Sequence, residues 1–512
     1  MRKVSLLKNF ITLVIIFISL IGYSQYQNVM ISTPGSSVSE PSICMNPKNT
    51  NQIVAGSNLN KYYISEDGGY NWTMETLTSS QYGVWGDPCI LVDTAGDFYY
   101  FHLSNPTGGS WIDRIVCQKF DFEQQQWTGG TYMGLNGNKA QDKEWAVVDS
   151  LTNTIHVTWT QFDEYNNPDP SMYSNIHYSK SIDGGETWSE AMQINQVSGD
   201  CIDSDNTTEG AVPTMGPNGE IYVAWAGPAG IVFDRSLDGG ETWLDEDIFI
   251  NSQPGGWDYD ISGISRCNGL PITCCDISNS EHNGTIYVNW TDQRNGSNDT
   301  DVWIAKSIDG GNTWTDAIRV NNDDPGKQQF FTWMTIDQIT GELIIVFYDR
   351  RNYNDQNTDV YMARSMDGGE SFENIKISET PFLPSSSVFF GDYTNVSAHD
   401  GKIRPIWARA DGVSMSIWTA IIDVSTDQAE PISQLPISLE QNYPNPFNES
   451  TYLAYKIRRQ STVSLSVHDV YGRKIATLID NKQMEPGKYL EHFVPSNYNI
   501  SSGVYFYILQ IK

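Results

Sequence analysis

Along most of the chain, apolar positions alternate with polar ones or gather in short solid runs, and no stretch sustains the 3.6-residue period of an amphipathic helix. Gly, Asn, Asp and Pro interrupt these runs at short intervals, the pattern of many short strands joined by tight turns. Segments 98–103 (Phe-Tyr-Tyr-Phe-His-Leu) and 302–306 (Val-Trp-Ile-Ala-Lys) are typical strands. The predicted class is all-β.

The N-terminus breaks this pattern. Arg2, Lys3 and Lys8 give a basic start, and 10–22 is an apolar run too short for a membrane-spanning helix. Residues 1–24 therefore read as a signal peptide with cleavage near Ser24/Gln25. No later segment approaches the length of a transmembrane helix, so the expected mature protein is secreted or held at the cell surface.

The strand pattern is periodic at a larger scale. Five octapeptides recur: Ser65-Glu-Asp-Gly-Gly-Tyr-Asn-Trp72, Ser181-Ile-Asp-Gly-Gly-Glu-Thr-Trp188, Ser236-Leu-Asp-Gly-Gly-Glu-Thr-Trp243, Ser307-Ile-Asp-Gly-Gly-Asn-Thr-Trp314 and Ser365-Met-Asp-Gly-Gly-Glu-Ser-Phe372. Each predicts a hairpin: the Asp bonds amides of its own turn, the glycines supply positive φ, and the aromatic pins the returning strand into the core. Their starts lie 55, 58 or 71 residues apart, except for a gap of 116 that must hide one more unit. That unit reads as 88–92, 98–103 and 115–121, with a degenerate turn ending in Trp127. A last unit, at 394–398, 403–408 and 416–422, shows three strands, and 27–33 supplies the fourth. Pairing first with last closes a ring without open edges.

These octapeptides resemble the Asp-box, or bacterial neuraminidase repeat, of the sialidase superfamily, over about 39–420. The resemblance implies a β-propeller in which the boxes are structural turns on the face away from the active site. Counting units gives seven blades over 25–424, with a six-bladed sialidase-like ring as runner-up. A sialidase uses an arginine triad, a tyrosine nucleophile assisted by a glutamate, and an aspartate acid/base, with its first arginine in a Phe/Tyr-Arg-Ile-Pro motif. Here that region reads Glu40-Pro-Ser-Ile-Cys44, so the motif is absent.

After a Pro-containing linker, 425–438, a small β-sandwich is predicted over 439–512. Asn442-Tyr-Pro-Asn-Pro-Phe-Asn448, Asp469-Val-Tyr-Gly-Arg473 and Ser501-Ser-Gly-Val-Tyr-Phe-Tyr507 resemble the C-terminal sorting domain of the type IX secretion system. The resemblance implies export across a bacterial outer membrane and a partner in that machinery.

Charge narrows the partners. A formal net charge of −31 excludes nucleic acid as an expected partner, because phosphate binding needs clustered Lys and Arg. Of seven cysteines, Cys44, Cys89, Cys274 and Cys275 fall in apolar strands and read as core, while Cys201 and Cys267 fall in loops and are the expected pair.

In a four-stranded blade the first-to-second and third-to-fourth turns share one face, and the remaining loops share the other. The octapeptides and equally short turns, such as Thr94-Ala-Gly96, make the first face structural. The long loops 162–174, 197–208, 252–268, 295–301 and 353–359 lie opposite, where a ligand is expected.

Glu40, Asp87, Glu144, Glu209 and Asp392 immediately precede five inner strands, and would form a partial ring of carboxylates at the mouth of the axial channel. Crowded carboxylates raise one another's pKa or hold a cation, and a close pair suits glycosidic cleavage. The alternative is a solvated rim whose acids cap turns. The expected catalytic residues are Asp87, Glu144, Glu209 and Asp392, with Tyr393 beside them. Expected substrate contacts are Trp85, Trp145 and Trp333 by stacking, and Arg266 and Arg351 as anion contacts. The recurrence of Asp292-Gln-Arg294 as Asp349-Arg-Arg351 favours an ion pair within each loop.

No cofactor is expected, no metal ligand set is assigned, and the Asp/Asn-rich loops leave room for a structural calcium. The expected function is a glycoside hydrolase acting on extracellular glycan. The alternatives are a non-catalytic glycan- or protein-binding propeller and a polysaccharide lyase, for which His102 and Tyr165 are the residues to examine.

Overall fold

A computed structural model describes residues 26–424, except 34, 36–37 and 122–123, and 437–511, except 440–441, 443, 449, 458–459, 470–472 and 499–502. The expected signal peptide, most of the linker and parts of all three C-terminal motifs lie outside the described residues. Those described contain no α-helix and none long and apolar enough to cross a membrane. Among the described residues two compact units are distinguished: 26–364 with 372–423, and 365–371 with those from 424 to 511.

Among the described residues of the first unit, six four-stranded antiparallel sheets and one five-stranded sheet follow one another, with a small two-stranded sheet, Asp258–Tyr259 and Cys267–Asn268, besides. Sheet one is Ser42–Met45, Ile53–Ser57, Lys61–Ser65 and Thr73–Thr76. The other sheets begin at Gly86–Val92, Ala140–Val148, Glu209–Met215, Ile272–Cys275, Gln329–Asp337 and Asn395–His399. In the seventh, the outer strand is Gln27–Met30, which pairs antiparallel with Ser414–Asp423 from Gln27 opposite Ile421 to Met30 opposite Trp418. The first strand of each sheet touches the first strand of the next, and that of the seventh touches that of the first, so the sheets make a ring. Buried aromatic and branched side chains fill the seams, as in the cluster of Phe233, Val288 and Trp290 between sheets four and five.

The octapeptides form the same hairpin each time. In the second, the Ser181 hydroxyl donates to Asp183 at 2.8 Å and accepts from Gly185 N at 2.9 Å, while Asp183 accepts from Thr187 N at 2.9 Å and Thr187 Oγ1 at 2.5 Å. Hydrogen bonds to Thr187, Thr242 and Thr313 hold Asp183, Asp238 and Asp309 down to about 2.

The aromatic differs from expectation in one respect: it reaches the preceding sheet. Trp188 meets Phe101, Trp243 meets Tyr178 and Trp314 meets Phe233, with centroids 5.1–5.9 Å apart. Trp127 of the degenerate turn likewise meets Tyr62 of sheet one, 5.7 Å away. The second glycine lies in the same seam, with φ of +85° at Gly240, where a Cβ would overlap the Tyr178 hydroxyl. Gly68 O accepts from the buried Arg404 guanidinium of sheet seven at 2.7 Å, and Gly69 packs on that side chain. The first four octapeptide hairpins thus fasten their sheets to the one before.

The cysteine pairing expected from the loops is not formed. Cys201 and Cys267 are free and buried, as small apolar side chains under separate loops, and the other five are also free. In the second unit, Ile437–Leu439, Thr451–Ile457 and Gly487–Phe493 form one antiparallel sheet, and Ser461–Asp469, Lys474–Met484 and Tyr505–Ile511 form another. Leu453, Tyr455, Val463, Leu465 and Phe493 join the two in one core.

Candidate functional site

The entrance to the inner strands is built from bulges. Register slips between Gly86 and Cys89, Asp142 and Trp145, Glu209 and Val212, and Phe330 and Trp333. At the slips Asp87, Lys143 and Phe331 have φ of 50–54°, and Glu40, just ahead of sheet one, has 52°. Left-handed backbone costs a side-chain-bearing residue about 1–3 kcal/mol, so the surrounding packing must impose it. A bulge re-aims the side chains that follow it. Here it collects charge from several blades.

Lys143 is the centre of that charge. Its Nζ lies 2.8 Å from Asp392 Oδ2 and 3.2 Å from Asp87 Oδ2, although the lysine side chain is only 7% exposed. Arg266 makes a bidentate pair with Asp392, with Nε at 3.0 Å from Oδ1, and a third bond to Asp203 at 2.8 Å. Tyr165 donates to the same Asp203 at 2.5 Å. Asn268 Nδ2 donates to Asp392 O at 3.0 Å. Seven carboxyls (Glu40, Asp87, Asp142, Glu144, Asp203, Glu209 and Asp392) thereby share two cations.

Two protonation classes result. Burial alone would raise Asp392, but Lys143 and Arg266 outweigh it and hold this carboxyl well below the usual range. Burial, reinforced by neighbouring carboxylates, pushes Glu40, Glu144 and Glu209 well up, and Asp142 up to about 7. Both oxygens of Glu144 and one each of Glu40 and Glu209 are sealed from solvent without a hydrogen-bond partner. An ionised carboxylate in that position would be costly, and the protonated form is the one burial favours. Among the described residues no group of three or more His, Cys, Asp or Glu is placed to hold a metal ion.

The expected catalytic residues are therefore gathered, but not as an open solvated ring. Glu40, Glu144 and Glu209 are each 1% exposed, and Tyr393 is 9% exposed. Asp87 and Arg266 are more open, with side chains 12% and 36% exposed.

Trp145 and Trp333 depart from the stacking role expected of them. They are buried and pack on one another, with centroids 4.3 Å apart and Tyr393 5.1 Å from Trp145. A cavity of about 20 Å³, room for about one water, lies beside them, lined also by Lys143, Asn268 and Asp392. Trp85 is exposed and sits edge-on to Trp111, also exposed, at 5.9 Å; Trp111 meets Tyr165 at 5.5 Å. On the far side of Asp203, Arg266 lies over the exposed Phe389 at 5.5 Å. Trp85, Trp111 and Tyr165 thus make an aromatic run that leads to Asp203, with Arg266 and Phe389 beyond it.

Arg351 is not free for an anion. It pairs with Asp349 at 2.7 Å, donates to Asn322 and Asn374, and covers Tyr361; Arg294 and Asp292 repeat the pair at 2.6 Å. His102 is fully buried, with Nδ1 2.8 Å from Leu103 O and Nε2 3.1 Å from Gln118, and burial lowers it to about 4, so no substrate reaches it as a base.

Lys143, Asp142, Asp203, Trp111 and Phe389 were missed from sequence. Asp87 and Glu144 lie within their inner strands, not ahead of them as expected, and Lys143 shares the left-handed bulge position of Asp87 with the opposite charge.

No protein-family model matches the chain, and no curated protein matches it. Among solved structures it is similar to the Hadza microbial sialidase Hz136, at 13% identity and TM-score 0.43, over 73% of this chain and 73% of that one. It is also similar to an ulvan lyase of a polysaccharide lyase family, solved bound to a GlcA(1-4)Rha3S unit (13%, TM-score 0.47, 78% and 96%). A third is the NanB sialidase from Streptococcus pneumoniae (9%, TM-score 0.43, 72% and 83%). The structural neighbours of this all-β chain thus include sialidase-like β-propellers, at low identity.

Proposed function

We propose that residues 25–424 are a seven-bladed Asp-box propeller, exported by the signal at 1–24 and by a type IX sorting domain at 439–512, that hydrolyses extracellular glycan on its loop face. The sugar crosses Trp85 and Trp111 and ends over Arg266. The observation that carries the reading is the division of the mouth carboxyls: Asp392 pairs with Lys143 and Arg266, which hold it well below the usual range, while Glu144 has both oxygens sealed without a partner and is pushed well up by burial. Carboxyls driven apart in this way are the equipment of an acid/base pair, and glycosidic cleavage uses one acid and one carboxylate. Glu144, 1% exposed without a ligand, is assigned as the proton donor once the bound glycan opens the mouth to it, and Asp392 as the ionised partner. Lys143 and Arg266 position Asp392. Removing the donor proton in Glu144→Gln is expected to abolish reducing-end release and preserve glycan binding. Turnover equal to wild type would overturn the assignment.

A second reading, a glycan-binding propeller without catalysis, is favoured by the 1% exposure of Glu40, Glu144 and Glu209. In that case the sugar touches only the aromatic run and Arg266. Trp111→Ala then lowers binding, and no product forms on prolonged incubation with wild type.

A further inference from the structure

Away from the mouth, a cavity of about 270 Å³ opens between sheets three and four, close to the lower end of the volumes that small-molecule pockets occupy. The fully buried Trp225 and the buried Val232 line it, and the exposed Val197 and Phe249 stand at its edge. The turn Gly227–Pro228–Ala229 closes one side. Its walls are mostly apolar.

One charged group interrupts them. Asp247 lines the cavity, and its Oδ2 accepts from Gln196 N at 3.1 Å. The Val197 amide also acts on the carboxyl, and Oδ1 of Asp247 is sealed from solvent without a partner within hydrogen-bond distance. No Lys or Arg contributes to its electrostatics, and burial raises its pKa. Glu246 adds a second acid to the lining. Every charged side chain lining the cavity is therefore acidic, and one has an oxygen in need of a donor. The terminal torsion of a carboxylate is soft, so an entering N–H can turn the group and take the unpaired oxygen.

We infer that this cavity binds a small organic ammonium, its apolar body between Phe249, Val197 and Trp225 and its charged nitrogen on Asp247. The walls exclude a strongly hydrated ion such as a bare metal, and the unpaired carboxylate disfavours an anion. The site is independent of the glycan reading, since it shares no residue with the mouth or with the aromatic run.

The test is ligand-observed NMR titration of the full chain with 2-phenylethylammonium and with N-acetyl-lysine methylamide, against neutral 2-phenylethanol. At least one ammonium is expected to bind about tenfold or more tighter than the alcohol, the usual worth of a charge-assisted hydrogen bond. Whichever cation binds tighter identifies a free aryl amine or a lysyl side chain as the better source. Asp247→Asn is expected to remove the preference for the cation, and Phe249→Ala to weaken cation and alcohol alike. Equal binding of alcohol and ammonium, no binding of either ammonium, or an unchanged preference in Asp247→Asn would overturn the inference. If Asp247→Asn does not fold, the comparison of charged and neutral probes on wild type and Phe249→Ala still decides it.

Discussion

The two faces of the sheet ring handle polar groups in opposite ways. On the octapeptide face each octapeptide Asp is satisfied within its own eight residues, as Asp183 is by Ser181 and Thr187. On the loop face the bonds run between blades: Lys143 of sheet three reaches Asp392 ahead of sheet seven and Asp87 of sheet two, and Glu144 has none. The first arrangement is repeatable because it is local and cheap to satisfy. The second occurs once, holds left-handed side-chain-bearing residues and leaves buried carboxyls unpaired. A fold that tolerates such a mouth while its other face is regular has concentrated its strain where chemistry is expected.

The largest effect should come from Lys143→Met. It leaves Asp87 and Asp392 facing each other without their shared cation, and breaking a buried pair from one side costs about 3–5 kcal/mol. Chemical denaturation should show that loss, and a change under about 1 kcal/mol would mean that solvent already compensates these acids.

On the other face, Gly240→Ala places a methyl against the Tyr178 hydroxyl at a φ of +85°, with an expected loss of about 2–3 kcal/mol by overpacking and strain. The same change at Gly239, where a Cβ meets nothing within 4 Å, should cost less, because only the backbone penalty remains. Equal melting temperatures for the two variants would contradict the fastening of sheet four to its predecessor.

Acid and base should separate the faces. Asp183, Asp238 and Asp309 are lowered to about 2, so their contribution is present above the unfolded value of about 3.9 and is lost as pH falls toward 2. Glu40, Glu144 and Glu209 are raised, so the folded state binds the extra protons. Their contribution is full below the unfolded value of about 4.3 and declines as pH rises through the folded values. Melting temperature against pH should fall on both sides, and Glu144→Gln should flatten the alkaline limb alone. The smallest effect is expected from Thr187→Val, which deletes one exposed hydroxyl bond to Asp183 for about 0.5–1 kcal/mol.

The same contrast explains what the sequence could tell. The hairpins were legible because Ser, Asp and Gly act within one octapeptide, and the closing strand because an unpaired edge has to be covered. The Asp292–Arg294 and Asp349–Arg351 pairs were legible from their recurrence. The mouth was legible only as a set of pre-strand acids. Its pairing joins residues as far apart as Lys143 and Asp392, and the direction of each side chain depends on a bulge that periodicity does not reveal. For the same reason Trp145 and Trp333 were placed on the right strands and given the wrong exposure. Trp85 is exposed, as a stacking role requires, while its neighbour Trp111 comes from a different loop.

The most direct measurement is reducing-end release from extracellular polysaccharides by wild type and Glu144→Gln, with binding of the same glycans followed in parallel. Wild type is expected to release product, and Glu144→Gln to bind with similar affinity and release none. Product release undiminished in Glu144→Gln, or glycan binding by wild type with no product at all, would contradict the account.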